Sequence, residues 1–154
     1  MVKLIKFVVI PLVLIGGAIL YLILNPSYQK SVEAKLYYSM GEYQVAYKLA
    51  DEALKMREYN NMAFSIKTKS RLILEFINYN SESDEFFKKI DRIIYSYNSV
   101  PRSEKIRIKM MCEVMIGRYE KLSFSLVDDE EIKERAKYNY TKFDTIYKKV
   151  KESL

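Results

Sequence analysis

Histidine is absent from this chain, and so is tryptophan. Without an imidazole there is no Ser-His-Asp or Cys-His nucleophile system, no histidine-ligated zinc and no histidine pH switch. Cysteine occurs once, at Cys112, which excludes an intrachain disulfide and a thiolate metal cage. Carboxylates, Lys, Tyr, Ser/Thr and one thiol are all that remain for catalysis. Glycine and proline are scarce, 4 and 3 among 154 residues, so helices meet few breakers. No Gly-rich phosphate loop and no base-stacking motif is present.

What the chain does have is charge of both signs, tyrosine and one long apolar run. The net charge is +6, and every acidic residue lies beyond the two lysines Lys3 and Lys6 that border the run. Setting those lysines aside leaves 24 basic against 20 acidic residues, interspersed along the remainder. Such a mixture describes a solvated surface; a basic face toward anionic lipid headgroups or nucleic acid is the alternative.

Phe7 to Leu24 reads FVVIPLVLIGGAILYLIL, without a charge, and Leu4 and Ile5 extend it across Lys6. About 20 apolar residues in a helix cross a hydrocarbon core of roughly 30 Å. Tyr21 suits an interfacial position, and Asn25-Pro26 closes the segment. The run is long for a cleaved signal peptide and lacks a small-residue cleavage site. The expectation is a transmembrane signal anchor over 1–25, touching the bilayer through 4–24. Positive residues are nearly balanced on its two sides. The short basic leader places the C-terminal domain outside the cytoplasm, in the periplasm of a bacterium with the anchor in its inner membrane.

Beyond the run, apolar residues recur at helical spacing and nothing alternates as a strand would. The pattern predicts an all-α chain: the transmembrane helix, then six helices. These run from about Tyr28 to Met40, Tyr43 to Arg57, Asn61 to Tyr79, Asp84 to Tyr97, Arg102 to Leu126, and from Asp128 to near the C-terminus. Gly41-Glu42 makes the first turn. Ser81, Ser83 and Asp84 supply a helix start, and Asp128 caps the last helix with Glu131 in capping-box relation. Short connections make neighbours antiparallel. The starts of the three resulting hairpins lie about 33 and 41 residues apart, the spacing of a helical solenoid.

The segment AKLYYSMGEYQVAYKLADEALKM resembles a tetratricopeptide repeat. Ala34 and Tyr37 match its first helix, Gly41-Glu42-Tyr43 its turn, and Ala46, Ala53 and Leu54 its second helix. Small side chains let the two helices approach, and Tyr43 plugs the gap at the turn. The best repeat covers 27–60. The repeat's closing Pro is absent, because Glu58 stands there. In the next hairpin Phe64 is placed to fill the large first-helix position. The resemblance implies a tetratricopeptide-like array of about three hairpins over 26–154, and with it protein–protein interaction.

Candidate chemistry is sparse. Asp128-Asp129-Glu130-Glu131 has neither the alternation nor the glycine of an EF-hand and reads as helix-start chemistry. Cys112, among Met110, Met111, Val114 and Met115, reads as a buried thiol. No catalytic, cofactor-binding or metal-ligating residue is identified. The chain is expected to be a non-enzymatic, membrane-anchored adaptor in an envelope assembly such as a translocon, secretion system or flagellar motor. Its partners would be other proteins, with no small-molecule substrate and no nucleic acid expected. First helices of each pair line the concave face of such arrays, which singles out Tyr38, Lys67 and Arg71 as partner-binding residues; Arg71 could hold a carboxylate by two points.

Overall fold

Capping side chains set where the helices begin. A computed structural model describes the backbone of residues 2–154 and the side chains of 9–17, 19, 21 and 24–154. The element order is α1 (Val2–Leu24), α2 (Pro26–Ser39), α3 (Tyr43–Met56), α4 (Asn61–Tyr95), α5 (Arg102–Tyr119), a 3-10 turn (Phe124–Leu126) and α6 (Glu130–Glu152). No strand occurs among the described residues. Asn25 caps α2 by accepting a hydrogen bond from the Ser27 amide at 3.1 Å, with Pro26 at the first helical position, where its missing N–H costs nothing. Asn60 caps α4 through its side-chain oxygen, which accepts from the Ala63 amide at 3.1 Å. Asp129, rather than the expected Asp128, caps α6 by accepting from the Ile132 amide.

The run 7–24 is helical, but among the described residues no helix is long and apolar enough to cross a membrane. That finding corrects the transmembrane anchor expected over 1–25 and its placement in a bacterial inner membrane with the remainder in the periplasm. The physical reason is length. The helix already begins at Val2, so Lys3 and Lys6 fall within its first turns. The uncharged remainder then rises about 27 Å at 1.5 Å per residue, short of a core of roughly 30 Å. The side chains of Lys3, Leu4, Ile5, Lys6 and Phe7, on which the anchor and its orientation partly rested, lie outside the described residues.

The expected array of three hairpins is corrected as well. Asn61 to Tyr95 is one helix of 35 residues, with no glycine or proline in it. Ser83 does not cap a new helix: its hydroxyl donates to the Tyr79 carbonyl four residues back at 2.7 Å, a bond that a continuous helix accommodates. Asp84 pairs with Arg135 at 2.6 Å. α5 runs uninterrupted through Gly117 but ends at Tyr119, short of the expected Leu126.

The chain divides into two compact units, Met1–Arg71 and Leu72–Leu154, with the boundary inside α4. In the first unit, Ala34 of α2, Ala46, Ala50 and Ala53 of α3 and Ala63 of α4 are all fully buried, with Ile66 beside them. With only methyl groups between them, the helices can approach closely. Tyr37, Tyr38, Leu49, Leu54 and Met62 pack around this centre. The α2–α3 turn closes α2 through two bonds, Glu42 N–H to the Tyr37 carbonyl at 2.9 Å and Gly41 N–H to the Tyr38 carbonyl at 3.1 Å. This is the Schellman pattern, which needs a left-handed residue after the cap. Gly41 supplies it at φ +81°. A Cβ there would meet nothing within 4 Å, so the whole cost of Gly41→Ala is backbone strain. That substitution is expected to lower stability by about 1–2 kcal/mol, read as a reduced urea midpoint with unchanged slope. An unchanged midpoint would show that the turn relaxes to another form.

Aromatic packing dominates the second unit. Phe87 of α4 and Phe143 of α6 stack with centroids 4.2 Å apart and planes at 17°. Phe76 meets Phe124 edge-on at 4.9 Å, and Tyr119 stacks on Tyr140 at 4.3 Å. Ile90, Ile108, Cys112, Met115 and Ala136 complete the buried set.

Candidate partner-binding surfaces

The three residues singled out from sequence all fall in the first unit. Tyr38 is half-buried at the edge of the alanine core, its ring edge-on to Tyr43 at 5.4 Å. Lys67 reaches α3, where its ammonium pairs with Asp51 at 2.6 Å and lies 5.7 Å from the centre of the Tyr47 ring. Lys55 completes that cluster at 2.7 Å from the other Asp51 oxygen. Hydrogen bonds from Lys55 and then Lys67 hold the Asp51 carboxyl down at about 2. Tyr38 and Lys67 thus contribute to the packing of their own unit. Arg71 stands exposed one turn beyond Lys67.

Other residues of this unit are large, apolar and exposed. Val32 and Leu36 of α2 and Met40, its C-cap, follow one another at four-residue intervals and remain 58%, 58% and 65% exposed. Such spacing forms one stripe. On α4, Phe64 does not fill the core position expected of it but is 64% exposed. Thr68 and Arg71 follow on the same side of that helix, four and seven residues further on. The stripe was legible as a spacing. Its exposure was not, because the alanines on the opposite side of α2 and α3 already complete the core.

At the entrance to α2, a cleft of about 450 Å³ is lined by Asn25, Pro26, Ser27, Met56 and Arg57. The Arg57 guanidinium donates to the Tyr21 hydroxyl at 2.6 Å and lies 5.6 Å from the centre of the Tyr28 ring. That hydrogen bond, followed by the guanidinium charge, lowers the Tyr21 pKa. Deeper in the unit, Asn60 donates to the hydroxyls of Ser27 and Ser31 at 2.8 and 2.7 Å. Ser27 in turn donates to the Ala53 carbonyl at 2.9 Å. These four residues are buried and join α2, α3 and the start of α4. In the sequence Asn60 marks only the residue before the helix predicted from Asn61.

In the second unit a cleft of about 280 Å³ runs beside Ile77, Asn80, Asp84, Glu131 and Arg135. Its polar groups satisfy one another: Asn139 donates to the Asn80 carboxamide at 3.0 Å, and Asn80 donates to the Ile132 carbonyl at 3.1 Å. The Cys112 thiol is fully buried and pushed up to about 12, chiefly by desolvation, which removes its nucleophilic form at neutral pH. Burial likewise pushes Tyr79 up to about 12. Among the described residues no group of three or more His, Cys, Asp or Glu side chains could hold a metal ion.

Compared with family models, curated proteins and solved structures, the chain matches none.

Proposed function

We propose that this chain is a non-enzymatic helical adaptor whose first unit binds a segment of another protein, as a tetratricopeptide-like hairpin would. The observation that carries this reading is the pairing of a sealed alanine core with uncovered apolar side chains on α2 and α4. Val32, Leu36, Met40 and Phe64 are large, apolar and exposed although the core of their unit is complete without them. Helix faces of this kind receive an amphipathic partner segment through a few apolar anchors. Arg71 offers such a segment a two-point partner for a carboxylate, and Tyr38 and Lys67 border the same helices.

The test is a binding measurement after altering only exposed side chains. Leu36→Asp with Phe64→Ser is expected to weaken partner binding about tenfold or more while shifting stability by only about 0.5 kcal/mol, the usual scale for surface changes. Photocrosslinkers placed at 36 and 64 should capture the same partner from living cells. Equal capture by the wild type and the double variant would discard the assignment.

A further inference from the structure

We propose that α5 is a self-association surface, on which a second copy of this chain packs antiparallel and two-fold symmetrically about Met110. The proposal concerns the second unit and is independent of the adaptor reading for the first.

Ile108, Cys112 and Met115 bury one side of α5. The opposite side carries Ile106, Met110 and Val114, which are 44%, 60% and 54% exposed. At about 100° per residue, Ile106 and Val114 lie roughly 40° to either side of Met110, with Ser103 near one end of the line and Gly117 near the other. A Cβ on Gly117 would meet nothing within 4 Å, so a partner helix could approach closely there. A three-four spacing of this kind is the seam along which two helices pack.

The charges beside the seam select the occupant and its direction. Viewed with Met110 facing the observer, Arg102, Lys109, Glu113 and Glu120 lie on one side and Arg107 and Arg118 on the other. A two-fold axis through Met110 that reverses the helix direction brings like sides together. Lys109 then lies within one turn of Glu113 of the second copy, and Glu113 of Lys109, while Arg102 meets Glu120 and Glu120 meets Arg102. Each of these four pairs is attractive. The two Lys109 ammoniums also approach each other across the axis, but each pairs with Glu113 of its own chain at 3.6 Å as well as with that of the second copy, so the four charges alternate in a net attractive cluster. A parallel arrangement would instead set Lys109 beside Arg107 of the other copy, cancelling the attraction that it gives between Glu120 and Arg118. On the far side, Arg107 pairs with Glu104 at 3.6 Å, and Arg118 pairs with Glu82, which tempers repulsion between the arginines. The face is therefore complementary to itself in one direction, the property that a closed isologous contact requires. Two joined copies would also present two adaptor faces to a partner, raising avidity without a new contact.

Sedimentation equilibrium of the full chain, from about 1 to 100 μM, tests the proposal. The wild type should show a monomer–dimer equilibrium. Met110→Glu should abolish it with helicity and melting unchanged. Lys109→Glu and Glu113→Lys should each weaken it about tenfold, because like charges then face each other across the axis. The double variant should regain wild-type association within about threefold, because the reciprocal pairs re-form with reversed sign. Met110→Cys, lying on the axis, should form a disulfide-linked dimer on mild oxidation. A chain that remains monomeric throughout, an association indifferent to Met110→Glu, or a double variant no better than the singles would each overturn the proposal.

Discussion

Phe143→Ala is expected to cost about 3–5 kcal/mol, the largest effect of any substitution considered for this chain. Phe143 is fully buried and lies flat against Phe87 at 4.2 Å. Removing it takes away the apolar area, the stacking contact, worth about 0.5–1.5 kcal/mol beyond area, and the filling of the space left behind. Phe87 cannot move in to compensate without losing its other contacts, including the Lys142 ammonium 4.0 Å from its ring centre. Hydrogen exchange followed by mass spectrometry gives the readout. Protection should fall throughout 72–154, while 26–71 should change little by comparison. A loss below about 1 kcal/mol would mean that the cavity collapses and that the stacked pair does not organise the unit.

Asn60→Ala is expected to cost about 2–4 kcal/mol in the first unit. It removes the cap of α4, typically about 1 kcal/mol, together with buried hydrogen bonds to Ser27 and Ser31. Each buried polar group stripped of a partner adds about 1–3 kcal/mol; the serine hydroxyls still donate to backbone carbonyls, which places the total toward the lower end of the sum. Exchange should accelerate across α2, α3 and the first turns of α4. A double-mutant cycle with Ser31→Ala should show coupling of about 0.5–3 kcal/mol, the range for directly contacting groups. Additive effects would reduce Asn60 to a simple cap.

Much of the first unit was legible because its signals are local. Asn25-Pro26 and Gly41 act on their own backbone, and the spacing of Ala46 and Ala53 placed both on the buried side of α3. Where a residue could serve in two ways, the sequence did not decide. Ser83 offers a hydroxyl that starts a helix or bonds back into one, and only the continuous packing of α4 selects the second. Phe64 has the size of a core residue, but methyl groups already fill the core beside it. Lys67 carries a charge suited to a partner's carboxylate, and Asp51 of its own unit answers that charge. The uncharged stretch 7–24 read as long enough to span a bilayer because Leu4 and Ile5 extend it across Lys6, whereas the charge-free part alone rises only about 27 Å. The stripe on α5 was visible as a spacing, yet nothing in a linear pattern distinguishes a covered face from a bare one.

The Asn60 seal also fixes an order of events on the ribosome. Its partner Ser27 lies 33 residues earlier. At roughly 5–20 residues per second, Asn60 is added about 2–7 s after Ser27. The α2–α3 hairpin is complete once Met56 has followed, about 0.2–0.8 s ahead of Asn60, which still leaves it time to form through its glycine turn and alanine contacts, since helices and short loops close within microseconds. It waits with Ser27 and Ser31 still wet. The arrival of one side chain then expels that water and commits the nascent N-terminal unit to its final packing.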